Sequence, residues 1–314
     1  MKAPFPWFGG KSTVADAVWR RLGSPKQYIE PFCGSAAILL AAPAPASLEV
    51  IGDANCYVAN FWRALKLQPD AVIAAQDYPV SHIDLFARHR WLTEPSRVAT
   101  LRDALLDPEW PGDAKIAGWW LWGQCCWIGS GWCDTARGQR GDGRAGGDGL
   151  GQIPHAGNAG MDVQAVTLGK IPHASDAGRG AAEWLRDLAD RLARVRIVHG
   201  DWSRCLNHHY GDTETAVFLD PPYRAFEKLY SDNGTPTTPV ADDVAAWARE
   251  HGHLRVALCG HRGDYDMPGW SIMDWSRGRL TYGGKSTTDA ECIWFSPGCL
   301  PDAPVQMSLL GGAA

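Results

Sequence analysis

Four consecutive residues, Asp220-Pro221-Pro222-Tyr223, combine the residue types best suited to chemistry in this chain. They follow the apolar run 216–219, which predicts a short buried strand. Ligands of open α/β sheets bind where parallel strands end. Because proline has a fixed φ and no backbone N–H, this segment cannot continue a sheet. A carboxylate, free carbonyls and a flat ring therefore predict a pocket for a planar heterocycle with an amine. The alternative is a strand ended by a Pro-Pro turn with a buried tyrosine.

Three further segments precede this one in the chain: residues 6–11 (Pro-Trp-Phe-Gly-Gly-Lys), 28–35 (Tyr-Ile-Glu-Pro-Phe-Cys-Gly-Ser) and 50–55 (Val-Ile-Gly-Asp-Ala-Asn). Gly34 lies between a predicted strand and a helix start, where a glycine allows close backbone approach. Asp53 follows 19 residues later, a spacing typical of an acid that binds ribose hydroxyls. A single glycine suits a ligand that has a ribose but no pyrophosphate. Asp53 could alternatively cap the following helix.

These four segments, in this order, resemble the DNA adenine methylase family, in particular its phage-type members. The resemblance spans roughly residues 4–65 and 195–297 and only loosely covers the middle of the chain. It implies S-adenosyl-L-methionine (S-adenosylmethionine) as cofactor, with Asp53 on the ribose and Asp201 near the adenine. One departure is Ser35-Ala36, where the family usually has a second small residue or glycine. The implied cofactor contacts are Trp7, Lys11, Glu30, Phe32, Gly34, Ser35, Asp53, Asp201, Trp202 and Asp220. Without that context Lys11 would be read as a surface lysine, and Asp201 could be a helix cap.

The family's chemistry is methylation of the exocyclic amine of adenine in DNA. That amine is a poor nucleophile because its lone pair is delocalised, so two acceptors must orient it. The resemblance implies that these are the Asp220 carboxylate and the Pro221 carbonyl, with Pro222 completing the segment and Tyr223 stacking on the base. A base in a duplex must first be extruded, by base flipping. The same acceptors suit cytosine's amine or adenine in RNA, and a catalytically silent DNA-binding protein is a further alternative. The sequence contains no Pro-Cys pair, which argues against the class of methyltransferase that attacks carbon 5 of cytosine through a cysteine.

Strand–helix alternation at both ends of the chain predicts an α/β fold, a doubly wound Rossmann-like methyltransferase sheet with an inserted recognition lobe. We predict a catalytic domain at residues 1–68 and 181–300, a helical, glycine-rich target-recognition lobe at 69–180, and a flexible tail at 301–314. The predicted strands are 28–30, 48–52, 195–199, 216–219, 255–259, 270–275 and 292–296. The predicted helices are one capped by Ser12, then 35–42, 55–67, further helices to about 106, 114–127, 181–194 and 240–250.

The predicted lobe has an unusual composition. Six of the 16 tryptophans lie within residues 110–132, and we favour a core role for them over stacking on DNA. Residues 150–156 recur with a shift of 18 as residues 168–174, either as two loops for a partner or as a surface insertion without a role. The predicted DNA contacts, which could alternatively be exposed connections, are Arg137, Arg140, Arg144, Arg179, Arg224, Lys228, Tyr230 and Lys285.

The composition sets outer limits on function. A net charge of −5 argues against a strong nonspecific DNA binder, so any basic strip for double-stranded DNA should be local. With no long apolar run and no signal peptide, the default location is cytoplasmic, and nine cysteines without a CxxC pair indicate reduced thiols and no metal. A monomer is favoured. The motifs leave open the target sequence and whether the chain acts as a phage orphan enzyme or in a restriction–modification pair.

Overall fold

The structure is a computed structural model that describes residues 1–7, 10–77, 79–127, 132–133, 180–206, 214–223, 240–275 and 291–301. Within these ranges the strands are β1 (Gln27–Glu30), β2 (Leu48–Asp53), β3 (Val195–His199), β4 (Thr215–Leu219), β5 (Arg255–His261), β6 (Ser271–Trp275) and β7 (Glu291–Phe295). The helices are α1 (Ala15–Leu22), α2 (Ala37–Leu40), α3 (Cys56–Leu67), α4 (Pro69–Gln76), α5 (His82–Leu92), α6 (Pro95–Ala104), α7 (Ala114–Cys126), α8 (Ala181–Leu192) and α9 (Val240–Glu250). A 3₁₀ helix spans Trp202–Leu206.

The strands form one sheet in the order β3-β2-β1-β4-β5-β7-β6. Strands β1 to β5 pair with one another in parallel, whereas β7 lies antiparallel between β5 and β6. The chain winds outward from β1 in one direction to β3, and from β4 in the other direction to β5. The predicted doubly wound α/β sheet is therefore confirmed, and the order reverses between β1 and β4, where such sheets bind ligands.

Side chains on the central strands alternate between two hydrophobic clusters. Tyr28 and Phe218 belong to the cluster that packs against α1, α2, α3 and α8, whereas Ile29 and Val217 belong to the cluster beneath α9. Since successive side chains of a strand point to opposite faces, a sheet covered on both sides needs apolar residues at consecutive positions. This requirement explains why the strands are continuous apolar runs in the sequence.

Helices α4 to α7 pack on the sheet domain rather than standing apart from it. Their buried residues join the same cluster as α1 to α3, and α7 packs closely against both α3 and α4. Trp120 and Trp122 are buried in that cluster and Trp119 is partly buried, so the expected core role of these tryptophans is confirmed. The proposed division at residue 68 stays a prediction. No helix in the described ranges is long and apolar enough to span a membrane.

Two predicted helix starts are wrong. Ser12 does not cap α1, which begins at Ala15 after a turn in which the Val14 N–H donates to the Lys11 carbonyl. Helix α2 has four residues instead of the predicted eight because Gly34 and Ala36 adopt positive φ values, which are incompatible with a helix. Asn55, by contrast, caps α3 and accepts from Tyr57 and Val58 N–H.

Gly118 sets the close approach of α4 and α7, which yields a stability prediction. An alanine Cβ there would lie 2.5 Å from the Ala75 Cβ and 2.8 Å from backbone atoms of Val72 and Gln76. Backbone atoms cannot rotate away, so Gly118→Ala should lower the free energy of unfolding by about 1–2 kcal/mol despite the better helix propensity of alanine. Urea unfolding measures this change. Gly252→Ala, where a Cβ meets ordinary contacts, is the control and should change it by less than about 0.5 kcal/mol. Equal effects at both positions would contradict the packing argument.

Candidate active site

Acidic residues collect at one edge of the sheet because parallel strands end there together. Glu30 ends β1, Asp53 ends β2 and Asp220 directly follows β4. Strand β1 lies between β2 and β4, so the three acids flank the point where the strand order reverses. This edge is where a doubly wound sheet offers a crevice for a ligand.

Lys11 joins the N-terminal segment to the Asp220-Pro-Pro-Tyr223 box. Its Nζ lies 2.8 Å from Asp220 Oδ2 and donates to the Tyr223 hydroxyl over 3.0 Å. The Tyr223 hydroxyl in turn donates to Asp220 Oδ1 over 3.4 Å. Lys11 is 3% exposed, so its ammonium needs these acceptors in place of water. The surface-lysine interpretation is therefore excluded, and this structure brings Lys11 to the Asp220-Pro-Pro-Tyr223 box.

The charges of this cluster oppose the cost of burial. Burial lowers the pKa of Lys11, but the carboxylates of Asp220 and Glu291 raise it, and the balance leaves it above its ordinary value. Burial and the neighbouring Asp220 carboxylate raise the pKa of Tyr223, which stays a neutral phenol that can donate. Tyr223 is 9% exposed, with its ring edge-on to His261 at a centroid distance of 4.6 Å. Its predicted stacking on a base stays a prediction.

The cluster also contains three residues that the sequence analysis did not single out: Glu291, Trp275 and His261. Glu291 Oε2 lies 3.9 Å from Lys11 Nζ, and the Trp275 ring centroid lies 5.4 Å from the same atom. Glu291 is paired in the sheet with His261 of β5 and Trp275 of β6. These residues meet only through the antiparallel register of β7, which no local spacing in the sequence reveals.

Asp53 links the ends of β1 and β2. Its Oδ2 accepts the Gly34 N–H over 3.0 Å, and its Oδ1 accepts the Asn55 N–H over 2.8 Å. Burial raises the pKa of Asp53 to about 6, although both hydrogen bonds oppose that shift. The carboxylate thus fixes the loop after β1 while each oxygen keeps a lone pair for another donor. The bond from the Asn55 N–H places Asp53 in the turn before α3, close to the helix-cap alternative, and its contact with a ribose stays a prediction.

The loop after β1 depends on glycine at position 34. Gly34 has a φ of 45°, and an added Cβ would lie 2.3 Å from the Trp7 indole, which covers it. The Gly34 carbonyl accepts from Trp62 Nε1 over 2.9 Å. Ala36 belongs to the Ser35-Ala36 pair that departs from the pattern described above. Its φ of 51° is a left-handed conformation that glycine would adopt without strain. Ser35 between them is buried.

Glu30 points into the protein under α2. Its Oε2 accepts the Tyr28 hydroxyl over 2.9 Å and the Leu39 N–H over 3.1 Å. Burial raises the pKa of Glu30 to about 8 even though the Tyr28 hydroxyl lowers it. At 2% exposure the side chain supports the loop after β1 in this structure, and its predicted contact with a cofactor stays a prediction.

An aromatic pair lies on the other side of that loop. Phe32 and Trp202 are half-buried, with centroids 6.4 Å apart and planes inclined by 23°. That distance is near the upper limit for stacked rings. Asp201 is exposed and its Oδ1 accepts from the Ser203 N–H and hydroxyl, so here it caps the 3₁₀ helix, as the alternative interpretation held. A role near an adenine stays a prediction.

Part of this arrangement lies in a stretch of sequence that is similar to a known protein family. Residues 7–103 match the family model of D12 class N6 adenine-specific DNA methyltransferase. The match covers less than half of the chain and makes this part of it similar to the adenine-specific DNA methyltransferases. The matched stretch contains Trp7, Lys11, Gly34 and Asp53 and ends before Asp220, so the role of the second half of the site rests on its geometry. No curated protein matches the chain.

Several predicted features of the methyltransferase lie outside the described residues. Among them are the repeat at 150–156 and 168–174, with His155 and His173, and every predicted DNA contact: Arg137, Arg140, Arg144, Arg179, Arg224, Lys228, Tyr230 and Lys285. Within the described part of the chain, no three potential metal ligands lie together. All nine cysteines are described and free.

The Trp7–Gly34 contact predicts that adding a Cβ at position 34 destabilises the protein. Gly34→Ala should lower the free energy of unfolding by about 1–2 kcal/mol from backbone strain alone. The total decrease in the free energy of unfolding should be larger than this, because the Trp7 indole must also move to make room for the Cβ. Gly263→Ala is the matched control, since its φ of 97° is also positive but a Cβ there meets open space. Urea unfolding of both variants tests this, and a loss for Gly34→Ala no larger than for Gly263→Ala would contradict it.

The raised pKa of Glu30 predicts how the stability of the protein changes with pH. The folded protein holds the Glu30 proton up to about pH 8, whereas the unfolded chain releases it near the ordinary value of 4.5. The unfolded state thus binds fewer protons in that window, so stability should fall as pH rises. From about pH 6 to pH 8 the loss should be roughly 2 kcal/mol. Glu30→Gln, which keeps the acceptor without the charge, should remove this slope. Parallel curves for both proteins in urea unfolding would refute the assignment.

Proposed function

We propose that this methyltransferase transfers the methyl group of S-adenosylmethionine to the exocyclic amine of an adenine that has been rotated out of double-stranded DNA. The observation that carries this proposal is the Asp220 carboxylate, held by Lys11 and Tyr223 at the end of β4. It is next to the β1 loop that Asp53 fixes. An acceptor for an amine and a nucleotide-type acid thus flank the strand-order switch.

The residues beside β1 fit the proposed cofactor. Asp53 is placed to accept from ribose hydroxyls, and its carboxylate already orders the Gly34 loop. Gly34 lets the Trp7 indole pack directly against the backbone of this loop. Phe32 and Trp202 present two nearly parallel rings for a purine. When bound, S-adenosylmethionine supplies a methyl group on a positively charged sulfur.

The Asp220 box would orient the nucleophile. An amine N–H that donates to the Asp220 carboxylate draws the nitrogen out of conjugation, and the Pro221 carbonyl is proposed as the second acceptor. Proline at 221 and 222 keeps these acceptors out of the sheet, because neither residue can extend a ladder. As the N–C bond forms, the bond between sulfur and the methyl carbon would break and its electron pair would leave with sulfur as a neutral thioether. The amine then becomes cationic and must release one proton, for which Asp220 is the proposed acceptor. Holding the amine in line contributes to the rate without acid chemistry.

DNA binding is proposed for the surface around this edge of the sheet. Helices α4 to α7 and residues 128–180 would form the target-recognition lobe, with the sheet domain at 1–68 and 181–300 binding the cofactor. Extrusion of the base costs a few kcal/mol, which contacts to phosphates from the arginines proposed for the lobe and the loop after Tyr223 would offset. The net charge of −5 is compatible with such a local basic strip.

Transfer of a labelled methyl group tests the proposed substrate. The protein is incubated with S-adenosylmethionine tritiated in the methyl group and with duplex DNA, single-stranded DNA or RNA, and the product nucleosides are separated. The proposal predicts label in N6-methyladenine from duplex DNA. Label in N4-methylcytosine, or only from RNA, would overturn the substrate assignment, and no label despite cofactor binding would overturn the activity.

The Asp220→Ala variant tests the assigned mechanism. Loss of the acceptor should reduce the single-turnover rate of methyl transfer by at least about 100-fold, because the amine is no longer oriented or deprotonated. The dissociation constant for S-adenosylmethionine, measured by calorimetry, should change little. Asp266→Ala, at an exposed acid that is not among the predicted site residues, is the control with wild-type rate. Wild-type transfer by Asp220→Ala would show that another group performs the step.

A further inference from the structure

We propose that Glu291 is a positioning residue that receives the Lys11 ammonium when the substrate amine takes its place on Asp220. This inference rests on the proposed function of Asp220. The geometry consists of one buried cation between two carboxylates. Lys11 Nζ lies 2.8 Å from Asp220 Oδ2 and 3.9 Å from Glu291 Oε2. A shift of about 1 Å along the flexible lysine stem would exchange these distances.

The substrate amine and the Lys11 ammonium compete for the same acceptor. In this structure Asp220 has Lys11 on one oxygen and the Tyr223 hydroxyl on the other. Lys11 thus presents N–H donors to Asp220 as an adenine amine would. For Asp220 to orient the amine and accept its proton, the ammonium has to move off Oδ2.

Glu291 has a buried carboxylate oxygen that could accept from the Lys11 ammonium. Its Oε2 is buried and accepts no hydrogen bond from any residue that the structure describes. A buried carboxylate oxygen in that condition is costly, so a donor that arrives there is stabilised. The backbone of Glu291 is held between His261 on β5 and Trp275 on β6, so its position is fixed by two ladders. The rings of Trp275 and Tyr223, each 5.4 Å from Lys11 Nζ, flank the path.

The exchange keeps the buried charge paired throughout. Removing one partner of a buried ion pair is strongly destabilising, because the remaining charge has lost its hydration. With Glu291 as the second partner, Lys11 can leave Asp220 without that penalty. Without the Glu291 charge, Lys11 should remain on Asp220 and hinder entry of the amine.

A double-mutant cycle tests the inference. Glu291→Gln should lower the single-turnover rate of methyl transfer about 10-fold, within the range measured for coupled neighbours. Its dissociation constant for S-adenosylmethionine should be unchanged. Glu291→Asp, which keeps the charge on a shorter stem, should recover most of the rate. In the Lys11→Met background, where there is no ammonium to receive, Glu291→Gln should have no further effect.

Each other outcome overturns the inference. A wild-type rate in Glu291→Gln would show that Lys11 needs no second partner, and equal losses in both backgrounds would show that Glu291 does not act through Lys11. If Glu291→Gln does not fold, Glu291→Asp supplies the same cycle with a smaller loss. Failure of the proposed function is seen separately, because the wild-type protein would then transfer no label. Failure of the role of Asp220 alone would be seen as transfer retained by Asp220→Ala, whatever the result at Glu291.

Discussion

The buried pair of Lys11 and Asp220 is the interaction on which the site depends. It joins a residue before α1 to one that follows β4, 209 positions apart in the chain. With Lys11 almost fully buried, its charge requires an acceptor within contact distance, and the sheet edge supplies two. The same contact fixes the Asp220 carboxylate and the Tyr223 hydroxyl as one unit. A methyltransferase that orients an amine by hydrogen bonding needs such a pre-positioned acceptor.

The sheet explains why the proposed cofactor and amine sites are neighbours. Strands β1 and β4 pair in parallel, so the loop with Gly34 and the box that begins at Asp220 leave the sheet on the same edge. Asp53 reaches across from β2 to hold the Gly34 loop. Buried strands need residues that are apolar on both faces, which leaves the ends of strands as the places for polar chemistry. Fold stability and site geometry are therefore set by the same strands.

Much of this arrangement follows from sequence patterns, and the rest fails for identifiable reasons. Apolar runs located the strands to within about two residues, and the position of Asp220 after a parallel strand follows from that pattern alone. The partner of Lys11 could not be predicted, since loop residues have no periodicity that shows what they meet. Glu291 was missed because its place depends on the register of an antiparallel strand between β5 and β6. The short α2 was missed because Ala36 gives no local sign of its left-handed backbone.

A crystal structure of the protein with duplex DNA and a non-reactive analogue of S-adenosylmethionine would test the central claim most directly. The account predicts that the amine of an extruded adenine donates to the Asp220 carboxylate, with the Lys11 ammonium against Glu291. A complex in which an extruded base lies away from Asp220, while Lys11 still contacts that carboxylate, would contradict it.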